Sequence, residues 1–128
     1  MKQYRTGMVF GIYEKIEDRH AKLLKKAAEV CDRLYIAVSS DEEVKALAKR
    51  SPTVPLETRE HIVEDFCTRN SVNARVLAFK GKHPDYYVQE YRVDAYVLSD
   101  SQYERFGKEL ERLVTDSNPH GKIIPVTV

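Results

Sequence analysis

The sequence lacks several features that mark large classes of protein. Its 128 residues contain no tryptophan and only two cysteines, Cys31 and Cys67. Both cysteines fall in helical patterns and lack the spacing of metal ligands, so we interpret them as reduced thiols of a hydrophobic core. No apolar run is as long as a membrane span, and no secretory signal precedes Tyr4. We therefore expect a cytoplasmic protein.

An excess of charge of one sign is also absent. Lysine and arginine number 21 against 20 aspartate and glutamate residues, which leaves a formal net charge of +1. This balance gives no electrostatic basis for binding nucleic acid or a membrane surface, so we expect neither partner. The sequence has no internal repeat and no low-complexity linker. Its content of 42% hydrophobic and 32% charged residues predicts one globular domain over residues 1–128.

Apolar runs rich in β-branched residues alternate with amphipathic stretches along the chain. The predicted strands are 4–10, 33–39, 74–79, 94–98 and 123–128. The predicted helices are 18–31, 40–49, 56–70, 84–91 and 102–114. Strands that alternate with helices at this spacing predict a parallel sheet covered on both faces. We therefore predict an α/β fold, a Rossmann-like doubly wound parallel sheet of five strands in the order 3-2-1-4-5.

The stretch from Met8 to Leu24 carries the strongest functional signal. An apolar strand ends near Gly11, a charged segment follows, and an amphipathic helix then begins. A strand, a glycine turn and a helix start place unpaired backbone N–H groups at the carboxyl edge of a sheet, where they can hold a phosphate. We therefore predict that Phe10, Gly11 and Ile12 contact a bound nucleotide or its phosphates.

The residues of this stretch also form a recognisable series. The chain has Gly11-Ile12-Tyr13-Glu14, then Glu17-Asp18-Arg19-His20, then Leu23-Leu24. The series resembles the cytidylyltransferase-like nucleotidyltransferases, in particular the glycerol-3-phosphate cytidylyltransferase branch, which has Gly-Thr-Phe-Asp, His-x-Gly-His and Leu-Leu in the same register. His20 matches the second histidine of the signature, whereas Glu17 occupies the position of the first and Arg19 that of the glycine.

The resemblance implies transfer of a nucleotidyl group from CTP or another nucleoside triphosphate to a small phosphorylated acceptor, with release of pyrophosphate. It places His20 on the nucleotide phosphates; a solvated histidine or a helix cap is the alternative. Arg19 beside it could also meet a phosphate, because its guanidinium suits bidentate contacts, and a surface charge is the alternative. Glu17 in such a site would repel a phosphate oxygen by about 4 kcal/mol at 4 Å and an effective dielectric near 20. Mg²⁺, the cofactor that the resemblance implies, would reverse this with Glu14 and Glu17 as ligands. We favour two solvated carboxylates instead.

Two further stretches match around the second predicted helix. Val38-Ser39-Ser40-Asp41-Glu42 resembles the family's Val-Ser-Thr-Asp-Glu, and Ser40 with Glu43 also forms a helix-capping pattern. Lys49 then falls where relatives carry a lysine near the substrate phosphate; a favourable charge at a helix end is the alternative. Glu57-Thr58-Arg59 resembles Glu-x-Arg, which implies that Arg59 reaches the nucleotide site.

The fourth predicted strand leads into Ser99-Asp100-Ser101-Gln102. This resembles the family's Gly-Asp-Asp-Trp, which assigns Asp100 to the base of the nucleotide. Helix capping by Asp100 or Ser101 is the structural alternative.

Aromatic residues are concentrated in the C-terminal half. They are Tyr86, Tyr87, Tyr91, Tyr96, Tyr103 and Phe106. Base stacking is one use, but we favour core packing or a subunit interface. Together with the frequent dimers of the family, this surplus of aromatic residues predicts a homodimer.

Two departures from the family motifs predict weak activity. Glu17 replaces a histidine, and the sequence ends at Val128, where the family's Arg-Thr-x-Gly-Ile-Ser-Thr-Thr motif would begin. We expect weak nucleotide binding and very slow or absent transfer. The alternative function is a non-catalytic protein that keeps the fold as a nucleotide-binding or assembly module.

Overall fold

The computed structural model describes residues 2–79, 90–118 and 120–128. In chain order its elements are β1 Tyr4–Gly11, α1 Asp18–Val30, β2 Cys31–Ser39, α2 Asp41–Ala48, α3 Leu56–Arg69, β3 Ala74–Phe79, β4 Ala95–Ser99, α4 and β5 Lys122–Val126. Helix α4 opens with the turn Asp100–Gln102, continues as a π-helix over Tyr103–Gly107 and ends as the α-helix Lys108–Ser117.

The five strands form one parallel sheet in the order β3-β2-β1-β4-β5. The predicted Rossmann-like sheet and its strand order are therefore confirmed. Because every strand runs in the same direction, the carboxyl ends of all five lie along one side of the sheet, which we call the carboxyl edge. Gly11, the last residue of β1, pairs there with Val38, and Ser39 pairs with Phe79.

Helices cover both faces of the sheet. Val9 belongs to one buried cluster and Met8 to the other, as expected for successive residues of a strand. Helices α1 and α3 contribute Leu24 and Val63 to the cluster of Val9. Helix α4 contributes Leu110 to the cluster of Met8. None of the helices in the described segments has the length and apolar character needed to cross a membrane.

Several predicted boundaries shift in the structure. Cys31, predicted as the last residue of the first helix, instead begins β2 opposite Tyr4, because its backbone is extended. Its thiol lies against Gly7, where an added Cβ would approach Cys31 Sγ to 2.2 Å. The thiols of Cys31 and Cys67 are free and buried, as expected. The fifth predicted helix begins at 100 instead of 102 and extends to Ser117.

The aromatic residues of the C-terminal half serve the core where the structure describes them. Tyr96 is buried, and Tyr91 and Tyr103 pack against the same cluster. Core packing, one of the two uses that we favoured, is therefore confirmed for these three tyrosines. Tyr86 and Tyr87, with most of the predicted helix 84–91, lie outside the described residues.

Candidate functional site

The site lies at the carboxyl edge beside the central strand β1. Strand β1 pairs with β2 on one side and β4 on the other, so the direction of chain winding reverses here. Ligands of open α/β sheets bind at the carboxyl ends of the strands at such a switch point. Two loops border this position: the first loop, residues 12–17, which leads into α1, and the second loop, residues 49–55, which joins α2 to α3.

Tyr13, and not Gly11, makes the sharp turn after β1. Gly11 stays in the strand, whereas Tyr13 has a left-handed backbone with φ of 57°. That conformation costs a residue with a side chain roughly 1–2 kcal/mol. The ring of Tyr13 is buried, and its burial raises the pKa of the phenol. A Cβ at Gly11 would lie 3.0 Å from two atoms of this ring, so the absence of a side chain at Gly11 lets the ring approach the strand closely.

His20 lies on the first turn of α1, half-buried, with its ring against Tyr13 at 5.6 Å between centroids. Its Nδ1 accepts a hydrogen bond from the backbone N–H of Glu17 at 3.0 Å. The pKa of His20 is lowered, first by burial and then by the nearby Arg19 guanidinium, although Glu17 and the Lys15 carbonyl act in the opposite direction. The ring is therefore neutral at pH 7, and because Nδ1 accepts, its proton is on Nε2.

Glu17 and Arg19 form an ion pair at the start of α1. Arg19 Nη2 lies 3.2 Å from Glu17 Oε1, and both side chains are exposed. The charge of Glu17 is therefore partly neutralised by a neighbouring residue. Sequence reasoning missed this contact because residues two apart do not face each other within a helix, whereas Glu17 is the N-cap that precedes it.

Glu14, in the first loop, joins the two loops by hydrogen bonds to Arg50 and Thr53 of the second loop. Arg50 donates to both carboxylate oxygens, with Nη1 at 3.0 Å from Oε2. Thr53 donates to Oε2 from its backbone N–H and from its hydroxyl, the latter at 2.7 Å. The hydrogen bonds from Arg50, followed by those from Thr53, lower the pKa of Glu14 to about 2. The prediction that Glu14 is simply solvated is wrong, because these donors occupy its carboxylate.

The two carboxylates that were considered as magnesium ligands, Glu14 and Glu17, are both engaged by other side chains. Within residues 2–79, 90–118 and 120–128, no three histidine, cysteine, aspartate or glutamate residues are grouped so that they could hold a metal ion. Glu14 binds Arg50 and Thr53, and Glu17 binds Arg19.

Arg59 lies on the first turn of α3, but its guanidinium points into the protein and is completely buried. It donates to the backbone carbonyls of Val54 at 3.0 Å and Ile12 at 2.9 Å. It also donates to the carbonyl of Ser39 and the carboxylate of Asp41, each at 2.6 Å. The structure thus places Arg59 beneath the first loop and not on the open surface of the carboxyl edge.

Lys49 is the first residue of the second loop. It ends α2 with φ of 59°, its side chain is exposed, and its backbone N–H donates to the Lys45 carbonyl. It precedes Arg50, which holds Glu14. The structure therefore brings a lysine to the border of the site, next to the first loop.

Asp100 is exposed at the start of α4, on the β4 side of the site. Neither Asp100 nor Ser101 caps this helix, because the hydroxyl of Ser99 accepts from the backbone of Gln102 at 3.2 Å. Gln102 was not predicted as a site residue, yet its Nε2 donates to the Phe10 carbonyl at 3.0 Å and ties α4 to the end of β1. The ring of Phe10 stacks on Phe79 instead of lining the first loop.

The fold and the site together define a Rossmann-like α/β protein. The neutral His20 and the basic residues Arg19 and Lys49 border the switch point of its sheet. Residues 8–127 match the family model of cytidylyltransferase-like proteins, and the chain belongs to this family. It is 29% identical over 106 residues to the phosphopantetheine adenylyltransferase of Pyrococcus horikoshii, a match that covers 81% of this chain and 66% of that protein. Such relatives do not support the glycerol-3-phosphate branch that the motifs indicated.

A second curated relative is the bifunctional phosphopantetheine adenylyltransferase/NTP phosphatase of Thermoplasma volcanium. It is 28% identical over 120 residues, which cover 93% of this chain and 36% of that protein. The chain therefore spans about two thirds or less of the length of these relatives.

Solved structures of low identity show the same fold. A lipopolysaccharide core biosynthesis protein from Thermoplasma volcanium has a TM-score of 0.79 at 18% identity, with 95% of each chain covered. A pantoate-β-alanine ligase from Francisella tularensis has a TM-score of 0.67 at 14% identity and covers 99% of this chain and 60% of its own. At these identities the likeness supports the fold alone.

Proposed function

We propose that the chain binds a nucleoside triphosphate at the carboxyl edge and transfers its nucleotidyl group to a small phosphorylated acceptor. The observation that carries this proposal is the neutral His20 at the start of α1, with its proton on Nε2. The names of the curated relatives favour ATP over CTP as the donor and phosphopantetheine over glycerol 3-phosphate as the acceptor.

The proposed reaction needs no nucleophile from the protein. A phosphate oxygen of the acceptor forms a bond to the α-phosphorus of the nucleotide, and the bond from that phosphorus to the pyrophosphate oxygen breaks. The protein's contribution is to align the two phosphates and to place donors where negative charge develops. Mg²⁺ carried by the triphosphate would supply further charge neutralisation, as in other phosphoryl and nucleotidyl transfers.

Six of the predicted site residues have a place in this proposal. His20 would donate from Nε2 to a phosphate oxygen, beside the unpaired N–H groups of the α1 terminus. Arg19 and Lys49, both exposed, would approach the outer phosphates. Asp100, exposed at the start of α4, would accept from an amino group of the base. Gly11 and Ile12 would present the backbone of the turn.

A second candidate is a nucleotide-binding module that does not catalyse transfer. The observation that favours it is the exposed carboxylate of Glu17 at the helix start, where an incoming phosphate meets like charge. The ion pair with Arg19 weakens this repulsion, but it also engages a guanidinium that a phosphate would otherwise recruit. The two candidates therefore differ in turnover and agree on nucleotide binding.

Pyrophosphate release tests both candidates. ATP and CTP are each combined with phosphopantetheine or glycerol 3-phosphate in the presence of Mg²⁺, and nucleotide binding is measured separately by calorimetry. His20→Ala should abolish turnover, whereas His61→Ala, which alters an exposed histidine of α3, should not. ATP binding without turnover by the native chain would favour the non-catalytic module. Absence of binding by any nucleotide would contradict both.

The homodimer stays a prediction. The tyrosines that motivated it and that the structure describes are used in the core, so the family resemblance is its remaining support. Sedimentation at micromolar concentration checks it, and a single species with the mass of one chain would contradict it.

A further inference from the structure

Arg59 is the one charged residue in the described part of the chain whose side chain is fully buried. Removing a guanidinium from water is strongly unfavourable unless it is paired and hydrogen-bonded. Four hydrogen bonds of 2.6–3.0 Å meet this requirement, and three of their acceptors are backbone carbonyls. A buried charge with this set of partners stabilises one particular arrangement of the backbone around it.

The three carbonyls come from separate parts of the carboxyl edge. Ile12 begins the first loop, Ser39 ends β2, and Val54 lies in the second loop. The planar guanidinium reaches all three at once because its N–H groups diverge in fixed directions. No ammonium group at this position could match that geometry, since lysine presents its three donors from one atom.

The hydrogen bond from Arg59 to the Ile12 carbonyl connects Arg59 with His20 through one intervening residue, Tyr13. Ile12 precedes Tyr13, whose left-handed backbone and buried ring place that ring against His20. Burial is the largest cause of the lowered pKa of His20, and the Tyr13 ring is a group that lies against the imidazole. Arg59 therefore holds the backbone position of Ile12, and through it the position of the Tyr13 ring against His20.

We propose that Arg59 is a positioning residue that touches no substrate and holds the first loop so that Tyr13 keeps His20 in its binding orientation. This replaces the direct nucleotide contact that the family resemblance implied for it. The effect on nucleotide binding rests on the proposed function, whereas the effect on His20 does not.

The test compares Arg59→Lys with Arg69→Lys, the same substitution at an exposed position of the same helix. NMR titration follows the imidazole signals, with His20→Gln used for assignment and His61 as an internal reference. The groups around His20 are the ring of Tyr13, the charges of Glu17 and Arg19, and the carbonyl of Lys15. Arg59→Lys changes none of them chemically.

In folded Arg59→Lys we expect the pKa of His20 to rise toward its ordinary value of 6.5, because the first loop no longer buries the ring. Arg69→Lys should leave the pKa of His20 unchanged. ATP binding should weaken about 10- to 100-fold in Arg59→Lys, the loss expected for one hydrogen bond to a charged group.

The following outcomes would overturn the inference or separate it from the proposed function. An unchanged His20 pKa in folded Arg59→Lys overturns the inference. If the His20 pKa is unchanged but ATP binding is lost, Arg59 contacts the ligand directly. If the native chain binds no nucleotide, the proposed function fails while a shifted His20 pKa still supports positioning. Should Arg59→Lys not fold, Asp41→Ala removes one partner of Arg59, and an unchanged His20 pKa there overturns the inference.

Discussion

The carboxylate of Glu14 and the guanidinium of Arg50 form a two-point ion pair that closes the first loop onto the second. Thr53 adds two donors to the same carboxylate. Arg59 joins the same two loops from below, through the carbonyls of Ile12 and Val54. The edge of the site is therefore built from two loops fastened at two levels, one ionic pair near the surface and one buried guanidinium.

Glu14→Gln should destabilise the fold in a pH-dependent way. The pKa of Glu14 is about 2 in the folded chain and near 4.5 without its partners. A depressed folded pKa means that the charged form stabilises the fold above pH 4.5, and that this stabilisation is lost as the pH falls from 4.5 toward 2. Urea unfolding of the native chain and the variant should therefore differ at pH 7 and converge at low pH. Glu109→Gln, at an exposed position of α4, is the control and should show no such convergence.

Gly11→Ala should destabilise the chain because the new Cβ would lie 3.0 Å from the ring of Tyr13. Overpacking of this kind costs about 1–3 kcal/mol. The loss should be smaller when Tyr13→Ala is already present, since the conflict is then absent. Unfolding free energies of the two single variants and the double variant give the coupling. Equal costs of Gly11→Ala in both backgrounds would contradict the explanation.

Alternation of strands and helices was enough to predict the parallel sheet, because each buried strand is an apolar run bounded by polar turns. Its strand order was chosen with the help of right-handed crossovers and was also implied by the family resemblance. Cys31 was misassigned because its apolar side chain continues the helical period of α1 while its backbone is already extended. The pattern of apolar residues cannot mark a boundary at which helix and strand share a buried residue.

The contacts of the site were harder to predict than its location. Arg59 was correctly placed on a first helical turn near the edge, yet its partners are carbonyls of Ile12, Ser39 and Val54, and backbone acceptors leave no mark in a sequence. The left-handed backbone of Tyr13 could not be predicted either, because this conformation is unusual for an aromatic residue. A serine three residues before a glutamine did offer a capping signal for Ser99 and Gln102.

Gln102→Glu should separate the two uses of Gln102. The glutamate keeps an oxygen to accept from the backbone of Ser99, but it cannot donate to the Phe10 carbonyl as Nε2 does at 3.0 Å. We expect a loss of about 1–3 kcal/mol, because a carbonyl at the end of β1 is left without this donor. Ser99→Ala, which removes the helix cap alone, should cost about 0.5–2 kcal/mol. Chemical unfolding measures the stability of both variants. If Gln102→Glu is as stable as the native chain, the link to β1 is dispensable.

The pair of Glu17 and Arg19 should govern how strongly the helix start binds a nucleotide. Glu17→Gln removes the carboxylate charge but keeps the backbone N–H that binds His20 Nδ1, so the histidine should stay in place. ATP binding should tighten about fivefold, the effect of one unit charge at 4 Å in water. Arg19→Gly should weaken binding, because it leaves Glu17 without its partner at 3.2 Å.

The double variant Glu17→His with Arg19→Gly restores the family signature and completes the series. It should bind ATP more tightly than the native chain, and it should improve binding more than turnover. Glu17 and Arg19 are in contact, so the effects of the two single substitutions on ATP affinity should not add. Calorimetry with ATP, with and without Mg²⁺, gives the affinities, and pyrophosphate release gives the rates. Native turnover of about 1 per second or faster, an ordinary enzyme rate, would show instead that Glu17 and Arg19 form a working variant of the signature.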